Sequence, residues 1–566
     1  MFLYPLLNAL SNVLNQPLIT RHSNRRRFAR QAGQPSSVAT RLESLEDRVL
    51  LSADGFNYVA GSHGTGISEG AFETAVDSQG NTYALVDFDG IVDFDPGPNL
   101  FELQKAPHAL IKLDPTGNFV WAKGLSNTHN ADLYFARTLT VGDDGNVYVF
   151  QTGMTSNVVK FDGAGNHLEE FEIVNGFVGG ISSRGVTVDS AGNIYLGGYF
   201  TGELEIGEGD DTVVYNSTSE TPDGIVLKLD PSGNLEWVKQ FAISGPRISQ
   251  QVYDHYIGAK MVMGEDENLI LVEEFTGSVD LEYETGGDIR NSNGESDILI
   301  AKLNSAGELV WGHTIGGSGY EDFEDVAVDD QGNIVISGAF SGIVDFDPSS
   351  NTEILETETS PGRYPPGAFL ARFTPDGQLN WAGKIDPDNS SARLRGLDFD
   401  AQGNLIIAAY MIGVSDIDIG SGEFLVGEDY ARSVIFSLDS DANILWVGQL
   451  NQYPRNLSEK GIFNVPLDVL TLNDGSITVS GFYDKHADFD IGPGEEVNYT
   501  YEFTRNSYIW NISASDIRGL AKQYFFQADF DFGLSSRFDY SNPATTSIVE
   551  VAGVISCSSI IPVTQD

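Results

Sequence analysis

The sequence predicts an all-β fold, and three observations support this prediction. The 566 residues include 62 glycines, 33 phenylalanines and 22 tyrosines but only 5 methionines, a composition that favours short strands and tight turns over long helices. A strand–turn–strand motif recurs seven times along the chain. Each recurrence is followed by a second strand–turn–strand pair, so each unit has four strands. Four antiparallel strands repeated in this way predict a seven-bladed β-propeller of four-stranded antiparallel blades.

The repeat is anchored on a turn of the form Val-Asp-x-x-Gly-Asn. The stretch 326–340, for example, closely resembles 186–200. The residue after the turn glycine marks the seven units, with spacings of 65, 47, 75, 65, 71 and 72 residues: Asn81, Asn146, Asn193, Asn268, Asn333, Asn404 and Ser476. The second unit is therefore the shortest. A β-helix needs a much shorter repeat, and separate sandwich domains need about 100 residues each, so the propeller is the interpretation that fits.

A tryptophan marks the fourth strand of most units. In the fifth unit the predicted strands are 325–328, 334–340, 368–373 and 379–385, joined by tight turns. Five of the six tryptophans occupy one position of the repeat, in the fourth strand: Trp121, Trp237, Trp311, Trp381 and Trp446. A tryptophan here could pack between blades or form a platform for a sugar. We favour packing, because burial is the commoner fate of such a large ring.

The ends of the chain predict how the ring closes. Residues 465–513 supply only three strands of the seventh unit, whereas 56–60 form an extra strand before the first unit. We therefore expect 56–60 to be the outer strand of the last blade, paired with 508–512, because this removes two free sheet edges. The predicted organisation is a basic segment at 1–53, a propeller at 54–520 and a tail of add-on strands or disorder at 521–566.

Charge narrows the class of partner. The chain has 81 acidic and 32 basic residues, a formal net charge of −49. A body with this charge repels nucleic acid and anionic membranes, so we expect no nucleic-acid partner. No apolar run is long enough to cross a bilayer, which predicts no integral membrane segment. The single cysteine, Cys557, allows neither an internal disulfide nor a cysteine-based metal site.

The recurring motifs resemble a known family. Val-Asp-x-x-Gly-Asn, the Val-Asp-Phe-Asp-Pro of 92–96 and 344–348, and the Asp-Pro-x-Gly-Asn-x-x-Trp turn are similar to the SBBP-type β-propeller repeats of bacteria. The resemblance covers roughly residues 54–520 and is weaker in the fourth and seventh units. It implies a secreted or surface propeller, usually without an assigned enzymatic activity.

The N-terminal segment carries a second resemblance. The run 42–53, Leu-Glu-Ser-Leu-Glu-Asp-Arg-Val-Leu-Leu-Ser-Ala, is similar to the Leu-Glu-Pro-Leu-Glu-Asp-Arg-x-Leu-Leu-Ser segment of exported planctomycete proteins, with Ser44 in place of proline. This implies export or surface sorting, and so a secreted or cell-surface location. An organellar transit peptide is a rival interpretation, because residues 1–42 contain several arginines and no acid.

Four paired aspartates are the candidate metal site. Each pair has the form Asp-x-Asp beside a turn, so both carboxylates project to one face of a strand. The residues are Asp93 and Asp95, Asp345 and Asp347, Asp416 and Asp418, and Asp488 and Asp490. Carboxylates beside backbone carbonyls suit Ca²⁺, but neither a third acid nor a distant glutamate recurs. The alternative is a turn at a strand edge, where the acids deter edge-to-edge pairing, and this is the interpretation that we favour.

The sequence contains no motif of an enzyme family. The eight histidines do not share a repeat position, and no zinc-binding, nucleophile-elbow or phosphate-binding motif occurs. We therefore expect an exported, acidic, non-catalytic propeller that binds a protein or polysaccharide at the cell surface, with calcium as the one cofactor considered. The alternative is a secreted polysaccharide-active lyase or hydrolase with its site at the propeller mouth. Enzymatic activity is left open.

Overall fold

The structure of this chain is a computed structural model. It describes residues 56–59, 70–88, 91–95, 101–104, 106, 108–125, 135–152, 155–175, 182–206, 212–218, 222–245, 259–283, 287–357, 367–385, 391–420, 422–426, 431–450, 464–484, 486–488, 497–499, 505–514 and 517. The predicted export segment at 1–53 and the tail at 521–566 lie outside these ranges. No helix in the described part is long and apolar enough to span a membrane.

Forty strands make up the described fold. In chain order they are β1 (Phe56–Val59); in the first unit β2 (Gly70–Val76), β3 (Thr82–Asp87), β4 (Ile91–Asp93), β5 (Glu102–Gln104), β6 (His108–Leu113) and β7 (Phe119–Leu125); in the second β8 (Phe135–Val141), β9 (Val147–Thr152), β10 (Thr155–Phe161) and β11 (His167–Asn175); in the third β12 (Ser182–Val188), β13 (Ile194–Phe200), β14 (Glu203–Ile206), β15 (Val213–Asn216), β16 (Asp223–Leu229) and β17 (Leu235–Ile243); in the fourth β18 (Lys260–Met263), β19 (Leu269–Phe275), β20 (Ser278–Asp280), β21 (Ile289–Asn291), β22 (Asp297–Leu303) and β23 (Leu309–Gly317); in the fifth β24 (Glu321–Val328), β25 (Ile334–Phe340), β26 (Ile343–Asp345), β27 (Ile354–Glu356), β28 (Gly367–Phe373) and β29 (Leu379–Ile385); in the sixth β30 (Ser391–Phe399), β31 (Leu405–Ile412), β32 (Ser415–Asp416), β33 (Leu425–Val426), β34 (Ala431–Leu438) and β35 (Ile444–Leu450); in the seventh β36 (Asn464–Thr471), β37 (Ile477–Asp484), β38 (His486–Asp488), β39 (Val497–Tyr499) and β40 (Arg505–Ile512).

These strands form seven blades around one axis. The blades have the strand orders β2-β3-β6-β7, β8-β9-β10-β11, β12-β13-β16-β17, β18-β19-β22-β23, β24-β25-β28-β29, β30-β31-β34-β35 and β36-β37-β40-β1, with antiparallel neighbours. The first strands of successive blades contact one another in a closed cycle, β2 to β8, β12, β18, β24, β30, β36 and back to β2. The predicted all-β, seven-bladed propeller of four-stranded antiparallel blades is confirmed.

The strand before the first unit lies on the outer edge of the last blade. β1 pairs antiparallel with β40, with Phe56 opposite Ile512 and Val59 opposite Trp510. The seventh blade thus combines strands from the two ends of the described fold. That β1 is what keeps the ring closed stays a prediction, and truncation tests it below.

The turn motif is held by its aspartate. In the fifth blade, one carboxylate oxygen of Asp329 accepts hydrogen bonds from the backbone N–H of Gln331 (3.0 Å) and of Asn333 (2.8 Å). The side-chain amide of Asn333 donates to the other oxygen at 2.8 Å. Gly332 has a φ of 78°, a left-handed conformation in which glycine is strongly favoured. Aspartate, glycine and asparagine therefore recur because together they close the hairpin.

The repeated tryptophan joins one blade to the next. The indole N–H of Trp311 donates to the carbonyl of Pro375, in a turn of the following blade, at 3.1 Å. Equivalent bonds run from Trp121 to Gly163, Trp237 to Ser305 and Trp381 to Ser440. Gly377 of the same turn lies against the rings of His313 and Trp311, because a Cβ there would be 2.6 Å from the imidazole and 3.0 Å from the indole. The predicted packing role of this tryptophan is confirmed.

Six of the units carry an extra hairpin between their second and third blade strands. We call these the clasp hairpins: β4–β5, β14–β15, β20–β21, β26–β27, β32–β33 and β38–β39. Three of them extend the preceding blade to six strands, through pairing of β14 with β11, β20 with β17 and β26 with β23. Each of these three clasp hairpins therefore covers part of the outer edge of the neighbouring blade, which protects that edge from pairing with other chains.

Candidate functional site

The paired aspartates lie at the ends of the clasp hairpins. Asp93, Asp345 and Asp416 each end the first strand of a clasp hairpin, and Asp95, Asp347 and Asp418 follow in its loop. Asp488 ends β38, its side chain is outside the described part of the chain, and so is all of Asp490. The three described pairs belong to the first, fifth and sixth units, and each lies in its own clasp hairpin.

The first aspartate of each described pair shapes the clasp loop. One carboxylate oxygen of Asp345 accepts from the backbone N–H of Asp347 (3.1 Å) and of Glu353 (2.9 Å). The same two bonds are made by Asp93, to Asp95 and Phe101, and by Asp416, to Asp418 and Phe424. Asp280 does the same in the fourth unit although Glu282 follows it in place of the second aspartate. The shared feature is thus a turn-forming carboxylate.

The donor set fits a calcium ion only in part. A Ca²⁺ ion needs six to eight oxygen ligands. In each described pair, one oxygen of the first aspartate already accepts two backbone N–H groups, so it is less available as a ligand. Hydrogen bonds from Ser349 hold the pKa of Asp347 below its usual value. Across the described ranges, no group of three or more His, Cys, Asp or Glu side chains is placed to hold a metal. Calcium at these pairs stays a prediction, tested below.

The structure places a second set of polar and charged residues around the propeller axis. We call them the axial ring: Glu73, Thr138, Lys260, Asp325 and Asp468, which occupy one position on the first strands of five blades. Gly185 and Gly396 occupy this position in the other two. A Cβ on Gly396 would lie 2.7 Å from the backbone nitrogen of Val469, so the first strands approach too closely there for a side chain.

A β-bulge precedes most positions of the axial ring. The pairing register of the first strand with the second shifts at 71–73, 136–138, 323–325, 394–396 and 466–468. A bulge adds one residue to one strand and re-aims the side chains that follow it. The bulge is therefore the local feature that turns this position toward the axis.

The axial carboxylates connect successive blades. Asp325 forms an ion pair with Lys260 of the fourth blade and accepts the backbone N–H of Leu397 of the sixth at 2.7 Å. Asp468 accepts both the backbone N–H (3.0 Å) and the hydroxyl (2.5 Å) of Thr74. Asp398, two residues after the ring position, accepts the same two groups of Thr471. The hydroxyl of Thr138 donates to Glu73 at 3.4 Å. The connections run through five successive junctions, from the fourth blade round to the second.

Burial changes the ionisation of these groups. It raises the pKa of Asp398 to about 6, although the hydrogen bonds from Thr471 act in the opposite direction. Burial also raises the pKa of Asp325, and the attraction of Lys260 offsets only part of this effect. For Lys260, burial alone would lower the pKa, but the carboxylates of Asp325, Glu73 and Asp468 hold it above its usual value. The ammonium group therefore stays charged.

The axial ring was not found from the sequence. Its signal is a polar residue eight positions before the turn residue that marks each unit, in five of the seven units, and it is visible only once the units are aligned on that turn residue. The residue type changes from unit to unit, so the position does not look like a motif. The carboxylates of Asp325, Asp398 and Asp468 accept hydrogen bonds from neighbouring blades. In this fold they therefore hold adjacent blades together.

The blades and the closed cycle of first strands define this chain as a β-propeller repeat protein. No family model matches it. Among curated proteins, an uncharacterized WD repeat-containing protein of Acanthamoeba polyphaga mimivirus is 21% identical over 478 residues. The match covers 67% of this chain and 33% of that relative, so the chain spans much less than the relative's full length.

Three solved structures are similar at low identity. A protein of unknown function from Bacteroides caccae is 11% identical with a TM-score of 0.28, covering 55% of this chain and 80% of that one. A catalytically inactive virginiamycin B lyase from Staphylococcus aureus with quinupristin is 12% identical with a TM-score of 0.27, covering 58% and 98%. A protein from Lactobacillus plantarum is 13% identical with a TM-score of 0.33, covering 71% and 95%.

Proposed function

We propose that this protein is an exported, non-catalytic propeller of the SBBP-repeat type that binds a protein or polysaccharide partner at the cell surface. One observation carries the proposal: the ionisable groups nearest the axis are engaged with neighbouring blades. Asp325, Asp398 and Asp468 each accept a backbone N–H group from the next blade, so these carboxylates serve as ties between blades. Binding at the exposed surface is then the function that the fold supports best.

Charge and the N-terminal sequence support the location. The net charge of −49 suits a soluble body that avoids nucleic acid and anionic lipid. The segment 42–53, with its similarity to planctomycete export segments, supports a secreted or cell-surface protein. Antibody labelling of intact cells expressing the full chain tests the location. Signal confined to permeabilised cells contradicts it.

The second candidate is a secreted polysaccharide-active lyase or hydrolase. The observation that favours it is the raised pKa of Asp398, about 6, on a first strand of the sixth blade. A carboxyl group that titrates near neutral pH is a feature of many catalytic sites. If Asp398→Asn abolishes polysaccharide cleavage by the purified protein while its melting temperature is unchanged, the catalytic candidate replaces the binding one.

The purified full chain tests the binding function directly. We expect a glycan array, or a pull-down from the extracellular fraction, to retain a partner. Because the proposed function is non-catalytic, the retained partner should stay chemically unchanged. The assay is run with calcium and with a chelator, because the clasp aspartates are the candidate calcium ligands. Absence of any retained glycan or protein under both conditions overturns the proposal.

A further inference from the structure

The outer crevices between blades are filled by the clasp hairpins. An outer crevice lies between the fourth strand of one blade and the next blade. In the fifth unit Val344 and Phe346 of the clasp hairpin are fully buried and belong to the same core cluster as Ala382 of β29. In the third unit Leu204 and Ile206 pack in one cluster with Val238 of β17. The clasp hairpin therefore inserts two apolar side chains against the fourth strand of its own blade.

The fourth strand is adapted to this filling. The residue that faces the clasp hairpin is small or apolar in the first, third, fourth, fifth and sixth units: Ala122, Val238, Gly312, Ala382 and Val447. Gly312 shows how close the approach is, because a Cβ there would lie 2.6 Å from the side chain of Leu281. A charged side chain at this position would be forced into an apolar contact.

The second unit has no clasp hairpin. Its strands β9 and β10 are joined by Gly153 and Met154 alone, which accounts for the short spacing of this unit. The crevice between the first and second blades is therefore without a clasp. Among the described strands, the sheet of the first blade ends at β7, whose Val120 is 47% exposed. A strand edge of this kind can pair with an added strand.

The clasp-free crevice is lined by hydrogen-bond acceptors in place of apolar side chains. Glu170, opposite Val159 in the pairing of β10 with β11, occupies the position that is small or apolar in the other units. Asn157 stands where the third, fourth and fifth units have Ile225, Leu299 and Phe369. Val159 packs against the first blade, so Asn157 and Glu170, on the same face, also point toward this crevice.

Asn157 carries an unmet hydrogen-bonding requirement. Its side chain is only 3% exposed, and its amide nitrogen donates to Glu170. Its amide oxygen is buried and has no hydrogen-bond partner. A buried acceptor without a donor is costly, so an incoming donor would be stabilised here. Glu170 and Glu172, both exposed on this face, make a positively charged donor the best complement.

We propose that the clasp-free crevice is a docking site for an extended, basic segment of a partner polypeptide. The segment lies extended beside β7, and its inward lysine or arginine side chains reach Glu170, Glu172 and the amide oxygen of Asn157. This inference rests on the proposed binding function and specifies the partner as a protein with a basic, strand-forming segment.

The test measures binding of a fluorescent ten-residue peptide of alternating valine and arginine to the full chain. The double variant Glu170→Gln and Glu172→Gln should weaken binding about tenfold, the loss expected when charge-assisted hydrogen bonds become neutral. Asn157→Leu, which installs an apolar residue as in other units, should weaken it severalfold. The control is Glu203→Gln with Glu205→Gln, which removes two exposed charges from a clasp hairpin of the third unit and should leave affinity within about twofold.

Two results would overturn the inference. Equal losses in the two double variants would mean that the peptide senses only the overall negative charge. Failure of the peptide to bind wild type would mean that no such site exists. Either result leaves the proposed function standing if the pull-down or glycan array retains a partner. Melting curves for each variant confirm that a loss of binding is not a loss of folding.

Discussion

At the scale of single residues, the repeated positions act as connectors between adjacent blades. Trp311 combines apolar packing with one hydrogen bond, from its indole N–H to the carbonyl of Pro375. Lys302 of the fourth blade donates to the same carbonyl at 3.2 Å. Each blade therefore contributes both apolar area and directed polar contacts to its neighbour, which is why tryptophan recurs where another aromatic ring would supply only area.

Substitution of Trp311 by phenylalanine tests this connection. We expect Trp311→Phe to lower the free energy of unfolding by about 1 to 3 kcal/mol, because a hydrogen bond and part of a buried ring are lost. Urea denaturation of the full chain measures the change. The control is Val310→Ala, at an exposed neighbouring position, which should alter stability by about 0.5 kcal/mol or less. Equal effects would show that the indole N–H contributes nothing.

At the scale of elements, the ends of the fold meet in the seventh blade. β1 supplies the outer strand of a blade whose other strands come from more than 400 residues later, β36, β37 and β40. Pairing of this kind replaces two open sheet edges by a hydrogen-bonded ladder. Three of the clasp hairpins use the same principle between neighbouring blades, since β14, β20 and β26 each pair with the outer strand of the preceding blade.

Two truncations test the role of β1 in closing the ring. Deletion of residues 54–62 should lower the free energy of unfolding by about 3 to 5 kcal/mol, as expected for loss of a ladder and its apolar contacts. Deletion of 530–566 should cost far less. Thermal and urea denaturation of both variants give the comparison. If the second deletion is the more damaging, the C-terminal segment closes the ring and the assignment of β1 is wrong.

At the scale of the whole molecule, charge and burial act together on stability. Burial raises the pKa of Glu273 to about 8, with further repulsion from Asp223, and that of Glu321 to about 8, with repulsion from Asp297. Burial also raises the pKa of Asp297 to about 6. These folded-state values exceed those of the unfolded chain, so the carboxyls favour folding most below pH 4 and lose that contribution as the pH rises to 8.

The melting temperature should therefore be higher at pH 5 than at pH 8.5. Hydrogen bonds from Asn166 and Asn234 lower the pKa of the turn aspartates Asp162 and Asp230. These two carboxylates lose their stabilising effect only when the pH falls below the usual pKa of an aspartate. They therefore do not affect the comparison between pH 5 and pH 8.5. Differential scanning fluorimetry across this pH range measures the effect. Glu321→Gln, which is neutral at every pH, should reduce the slope. A melting temperature that rises from pH 5 to pH 8.5 would refute the argument.

Calcium should change the stability little. If the clasp aspartates bound Ca²⁺ only in the folded state, each site would add about 2.7 kcal/mol at a hundredfold excess over its dissociation constant. We expect a small or absent shift in melting temperature on adding millimolar calcium or a chelator, because Asp93, Asp345 and Asp416 already accept two backbone N–H groups each. A large shift that disappears in Asp345→Asn with Asp347→Asn would establish these residues as ligands.

The sequence by itself determined the number of blades, their four strands and the turns between them. These features depend on short segments: the Asp-x-x-Gly-Asn turn closes within five residues, as Asp329 and Asn333 show, and alternation along a strand sets which side chains are buried. The sequence pattern likewise predicted the packing of Trp311 and of its equivalents, since a large ring in a half-buried strand has few other places to go.

Only the tertiary structure decided which distant residues meet. The tie from Asp468 to Thr74 spans 394 positions, and no local pattern distinguishes Asp468 from a solvated strand acid. The four aspartate pairs look alike in sequence, yet the fold distributes them over separate clasp hairpins. The second unit lacks a clasp hairpin, and the crevice at Asn157 is therefore without a clasp. This crevice is formed only where the first and second blades face each other. Contacts between units depend on how strands are aimed across the ring, through bulges and pairing register, and these are properties of the assembled fold.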